Sequence, residues 1–112
     1  MILWHNPRCS KSRQTLALLQ ERGVEVELRK YLEDRPTVVE LQDVRQKLGV
    51  AAIAMMRPKE KAFAEMGLNR DMDDAALIAA MAKEPRLIER PILIAGDKAA
   101  LGRPPEAVLA LL

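Results

Sequence analysis

The sequence predicts an α/β protein whose mixed sheet of about four strands carries helices on its faces. Three observations predict it. A short apolar run, Ile2–His5, leads through a turn into a helix and then into an alternating segment, Val24–Tyr31, which makes a βαβ unit. A second apolar run, Pro91–Ala95, is followed by the turn residues Gly96-Asp97-Lys98, another strand-like piece and a helix opening, which makes a ββα unit. Between them lies a stretch of about 37–85 with helical periodicity, an insertion joining the two units of one domain spanning 1–112.

Each element has a local cause. Asn6-Pro7 stops the first strand, because Pro7 has no amide to give to a ladder. The helix from Ser10 has Leu16, Leu19 and the stem of Arg22 on one side, and Gly23 stands where a left-handed terminal residue is wanted. In the next strand Val24, Val26 and Leu28 alternate with Glu25, Glu27 and Arg29, so the apolar set should share one buried face. Thr37 with Glu40 is a capping-box pattern, Leu41, Val44 and Leu48 form a stripe, and Gly49 ends that helix. Ala51–Met66 is rich in good helix formers, and Asp73 or Asp74 can cap a further helix carrying Leu77, Ile78 and Met81 before Pro85. Pro104-Pro105-Glu106 opens the last helix, with Val108, Leu111 and Leu112 as its apolar side.

Composition bounds the function. Eighteen Lys and Arg against sixteen Asp and Glu leave a formal charge of +2, too even for a dedicated nucleic-acid or membrane-surface protein. Aromatic residues make up 3%, which leaves little for base stacking. No apolar run approaches the roughly 18 residues of a membrane span, and no basic-then-apolar leader pattern opens the chain, so a cytoplasmic location is expected. One histidine and one cysteine give no metal-ligand set, and the lone Cys9 cannot form an intrachain disulfide.

Cys9 has two readings. A lone cysteine is commonly a small buried hydrophobe. Cys9, however, falls between a strand end and the first turn of a helix, where free amides and the macrodipole favour negative charge, and Arg8, Lys11 and Arg13 add cations. Such settings lower a thiol pKa and make a nucleophile. In Cys9-Ser10-Lys11-Ser12 a serine stands where dithiol enzymes carry a second cysteine, so Ser12 can donate a hydrogen bond to the thiolate but cannot close a disulfide. A phosphatase loop would need arginine at position 15, which is Thr15. Arg57, Arg90 and Arg103 each precede a proline and so sit at element boundaries, either as surface cations or as a shared oxyanion site. His5 can tune the thiol or serve the structure, and Asn6 suits shaping of the turn.

Taken together, His5-Asn6-Pro7-Arg8-Cys9-Ser10-Lys11-Ser12-Arg13, Tyr31-Leu32-Glu33, Met56-Arg57, Glu89-Arg90-Pro91-Ile92 and Gly102-Arg103-Pro104-Pro105-Glu106 resemble the glutaredoxin-dependent arsenate reductases of the ArsC family. Ser10-Lys11, where characterised members commonly have Gly-Thr, and the short tail are similar to the YfgD-like branch. The resemblance implies a thioredoxin-like fold, Cys9 as nucleophile, and Arg57, Arg90 and Arg103 as the oxyanion site. His5, Asn6, Ser12, Arg13 and Pro91 would support it, with Arg90-Pro91 as a cis peptide. It further implies arsenate or a similar oxyanion as substrate, glutathione as co-substrate with no bound cofactor, glutaredoxin as partner, and a monomer. Two alternatives stand beside it: an Spx-like regulator that binds RNA polymerase, and a glutathione-linked thiol oxidoreductase acting on another substrate. Spx-like proteins generally carry a CxxC and lack the third arginine, whereas this chain has Ser12 and Arg103.

Overall fold

The computed structural model describes all 112 residues. Strand β1 is Ile2–Trp4, helix α1 Ser10–Glu21, strand β2 Glu27–Arg29, helix α2 Val38–Leu48, helix α3 Lys61–Glu65, helix α4 Asp74–Lys83, strand β3 Ile92–Ala95 and strand β4 Lys98–Leu101. Short 3-10 segments run over Ala52–Met55, Pro85–Leu87 and Pro105–Leu111. No helix is long and apolar enough to cross a membrane. The chain forms two compact units, one of residues 1–34 with 90–112 and one of residues 35–89.

The first unit is a four-stranded mixed sheet in the order β2-β1-β3-β4, with α1 and the C-terminal 3-10 helix packed together, a thioredoxin-like arrangement. β1 pairs parallel with β2 and antiparallel with β3, and β3 pairs antiparallel with β4. The parallel pair needs a crossover, which α1 supplies, and the antiparallel pair needs only the turn at Gly96, whose φ of 61° suits glycine. Leu3, Leu19, Leu93 and Val108 form its fully buried core, with Leu16, Val24, Val26, Ala100 and Leu111 packed around them.

Two expectations, the length of β2 and the apolar side of the C-terminal helix, are corrected here. β2 is three residues long, because β1 offers only Ile2, Leu3 and Trp4 as register partners before Asn6-Pro7 ends it. At this sheet edge Val24 and Val26 still pack on the core, but Leu28 is 43% exposed. The stretch 51–66, rich in helix formers, holds the 3-10 segment Ala52–Met55 and helix α3. Pro58 pushes Arg57 into extended backbone, and the segment Met55–Arg57 pairs with Leu87–Glu89 through Arg57 N–H to the Leu87 carbonyl (2.8 Å) and Glu89 N–H to the Met55 carbonyl (2.9 Å). The C-terminal element is 3-10 and not α, so its side chains repeat every three residues. Pro105, Val108 and Leu111 therefore share the inner face, while Leu112 is 49% exposed.

In the second unit α2 packs on α4 around Leu41, Val44, Leu77, Ile78 and Met81, all buried. Thr37 Oγ1 accepts from Glu40 N–H while the Glu40 carboxylate accepts from Thr37 N–H, the reciprocal cap its spacing predicts. Gly49 closes α2 in the left-handed region at φ 69°. Asp73 caps α4 by accepting from Ala76 N–H at 2.8 Å. The Thr37→Ala variant should lose about 1 kcal/mol of stability by urea denaturation, with an unchanged m-value.

Candidate active site

The sulfur of Cys9 sits at the N-cap of α1. Cys9 has extended backbone (φ −91°, ψ 125°) and its carbonyl accepts from Arg13 N–H at 3.0 Å, so the next residues are the first helical turn. In this position a side-chain acceptor ordinarily takes the second or third amide of the helix. Here those amides are Lys11 and Ser12, and the acceptor is a sulfur, 9% exposed at the residue level and the only cysteine of the chain.

The turn before it is rigidly built. Asn6 Oδ1 accepts from Arg8 N–H (3.0 Å) and the Asn6 carbonyl accepts from Cys9 N–H (3.0 Å). Arg13 reaches back from α1 to donate to the Pro7 carbonyl at 3.0 Å. His5 and Ser12 are buried, with Nδ1 and Oγ 2.6 Å apart, and Ser12 Oγ also accepts from Asn6 N–H at 3.0 Å. A hydroxyl oxygen can accept twice and donate once, so the direction of the His5–Ser12 bond follows the tautomer of the ring. The Ser12 hydroxyl is thus committed to His5 and Asn6, and it is the Ser12 backbone N–H that serves the sulfur, unlike the hydroxyl contact expected from the CxxS spacing.

Two arginines come in from the other end of the unit. Arg103 Nη2 lies 3.7 Å from Cys9 Sγ, and its Nε donates to the Arg90 carbonyl at 2.9 Å. Arg90 also hydrogen-bonds the sulfur, and Arg90-Pro91 is a cis peptide, as is Arg103-Pro104. Arg57 belongs to the second unit, where its Nη1 is 3.3 Å from Glu89 Oε1 and its Nε 3.6 Å from Glu60 Oε2.

Burial opposes ionisation of Cys9, but the Arg90 hydrogen bond, the Ser12 amide, the Arg90 charge and the Lys11 amide together hold the thiol below its ordinary pKa. His5 is shifted down as well, first by burial and then by the Lys30 and Arg13 charges, so the ring is neutral at pH 7 and adds no cation beside the thiolate. Such a sulfur can attack an electrophile, and guanidinium groups beside it can hold the oxygens of a tetrahedral anion. Gly102, which the sequence did not mark as a site residue, lies against both Pro91 and Thr15.

Comparison with known proteins agrees with the fold. The ArsC family model matches residues 4–111. An arsenate reductase of Neisseria meningitidis serogroup A is 51% identical, the match covering 98% of this chain and 96% of that one. The uncharacterized protein YfgD of Escherichia coli is 49% identical over 96% of this chain and 92% of its own. Among solved structures, an arsenate reductase from Vibrio cholerae superposes with a TM-score of 0.95 at 50% identity, covering 99% of this chain and 96% of that one.

The pH dependence of iodoacetamide alkylation should show a midpoint below that of an ordinary thiol, about 8.5. Removing the cation in Arg90→Gln disfavours the thiolate, so the midpoint should rise and the rate at pH 7 fall. A midpoint unmoved by that substitution would refute the assignment of Arg90 to the sulfur.

Proposed function

The chain belongs to the ArsC family, and on that premise we propose that it is an arsenate reductase working through a covalent adduct on Cys9, with glutathione and glutaredoxin as its reductants. The observation that carries the reading is the guanidinium of Arg103 3.7 Å from a sulfur whose thiol is held below its ordinary pKa. The thiolate attacks arsenic, an S–As bond forms, and an arsenate oxygen leaves as water after protonation. Arg90 and Arg103 neutralise charge on the remaining oxygens as it builds up. The family likeness assigns Arg57 a share in the same anion.

Reduction needs a second thiol, and the chain has one cysteine. A glutathione thiolate attacks Sγ of the adduct, an S–S bond forms, and the S–As electron pair passes to arsenic, which leaves as arsenite. Two thiols lose two electrons and arsenic gains them. Glutaredoxin then takes the glutathionyl group from Cys9 and restores the thiol. A cytoplasmic setting, where glutathione keeps thiols reduced, suits this cycle, and a monomer suffices for it.

In an assay coupled to glutathione and glutaredoxin, turnover should require arsenate and vanish in Cys9→Ser, since a hydroxyl at its ordinary pKa does not replace a thiolate. With glutaredoxin omitted, consumption of reductant without arsenate on a glutathionylated peptide would instead identify a thiol transferase. Arg103→Lys keeps the charge but loses the planar fork, so KM for arsenate should rise by about tenfold or more. Wild-type kinetics in the lysine variants of all three arginines would dismantle the oxyanion assignment.

A further inference from the structure

Gly102 follows β4 directly, with a backbone outside the left-handed region, so conformational freedom does not explain a glycine here. Space does. A Cβ at this position would stand 2.6 Å from Pro91 Cγ, 2.6 Å from Thr15 Oγ1 and 3.0 Å from Pro91 Cδ. None of these atoms is the loose end of a flexible chain. Pro91 is a ring at the head of β3, and Thr15 is fully buried on α1 with its hydroxyl donating to the Lys11 carbonyl at 2.8 Å. Gly102 N–H also donates to the Pro91 carbonyl at 2.9 Å.

This contact lies between two routes to the same sulfur. Along one, Gly102 is followed by Arg103, whose guanidinium bonds the Arg90 carbonyl and reaches Cys9 Sγ. Along the other, Gly102 touches Thr15, which ties down the first turn of α1 at Lys11. We propose that Gly102 is a positioning residue for this site: its bare Cα, closed against Pro91 and Thr15, sets the reach of Arg103 to the Cys9 sulfur. Thr15 is the second half of the device. The inference rests on the proposed reaction for its catalytic meaning, but its test reads the sulfur itself. The charged groups that bear on that sulfur are Arg90 and Arg103 from the β3 and β4 ends; Arg8, Lys11 and Arg13 are the cations of its own segment, and His5 is neutral.

The experiment measures the alkylation rate of Cys9 against pH in Gly102→Ala, alone and with Arg103→Gln, alongside circular dichroism melts. An added Cβ must displace Pro91 or Thr15 and carry Arg103 away from the sulfur. The folded variant should therefore alkylate at least about threefold more slowly at pH 7, with its midpoint moved upward. In the Arg103→Gln background the same substitution should have little further effect, because the glycine acts through that arginine. A merely structural glycine would give equal effects in both backgrounds, and that result overturns the proposal, as does an unchanged rate in folded Gly102→Ala. If Gly102→Ala does not fold, Thr15→Ala provides the measurement. It removes the side chain that closes on Gly102 and its bond to the Lys11 carbonyl, so it too should slow alkylation and raise the midpoint, and wild-type values there overturn the proposal. Arsenate turnover is recorded separately. An inactive wild type with the expected alkylation pattern would remove the reductase reading and leave the positioning role, while active enzyme with no pattern would do the reverse.

Discussion

A thiolate in a largely buried place is the constraint on which the first unit is organised. Taking the sulfur from water disfavours its charge, and the turn must supply enough donors to reverse that. Unit charges about 4 Å apart interact by about 4 kcal/mol at an effective dielectric of 20, so a well-placed guanidinium works directly against the desolvation loss. Cys9 receives amides from its own helix and guanidinium groups from two other chain segments. None of these donors is near another in sequence except Lys11 and Ser12. Their convergence is therefore a property of the sheet.

The register explains that convergence. Antiparallel pairing of Trp4 with Ile92 places the C-terminal end of β1 beside the N-terminal start of β3, so the turn at Asn6–Cys9 and the Arg90-Pro91 peptide lie at one end of the sheet. Pairing of Ile92 with Leu101 brings the end of β4 to the same place, and the bond from Gly102 N–H to the Pro91 carbonyl continues that ladder by one step. Three loops then meet at one sheet end without any of them being long. A one-residue slip in either pairing would turn alternate side chains to the opposite face and break the meeting.

What sequence could show of this follows the range of the interactions involved. The capping box at Thr37 and Glu40, the glycine stop at Gly49 and the strand, turn and helix around Cys9 depend on neighbours within a few residues, and they read correctly. The length of β2 and the extended segment at Met55–Arg57 depend on partners far along the chain, which periodicity and composition do not reveal, and the 3-10 winding after Pro104 departs from the helix its apolar residues suggest. The site divides in the same way. A helix N-terminus marks Cys9 as a reactive position, and the prolines mark Arg57, Arg90 and Arg103 as boundary residues, but register alone decides that Arg90 and Arg103 share a destination. Gly102 was silent because its requirement is a steric one across the sheet, with no turn signal to betray it. The Arg57 side chain shows the limit of charge counting, since Glu89 and Glu60 already engage it within its own unit.

The inner face of α1 shows what the site asks of the fold. Its buried positions are Ser12, Thr15 and Leu19, so only the last of the three contributes an aliphatic side chain to the Leu3, Leu93 and Val108 cluster. Two polar side chains in such places would be costly if left unbonded. Each is satisfied: Ser12 by His5 and Asn6, Thr15 by the Lys11 carbonyl. Those bonds tie the helix start to the end of β1 on one side and to its own first turn on the other. Apolar residues there could add burial, but they would hold the turn only by contact, which constrains direction less than a hydrogen bond does. The bonds from Asn6 N–H to Ser12 Oγ and from Thr15 Oγ1 to the Lys11 carbonyl join groups that do not titrate, so they need no proton to enter or leave as the thiol ionises. The sulfur can therefore change charge while the frame around it does not.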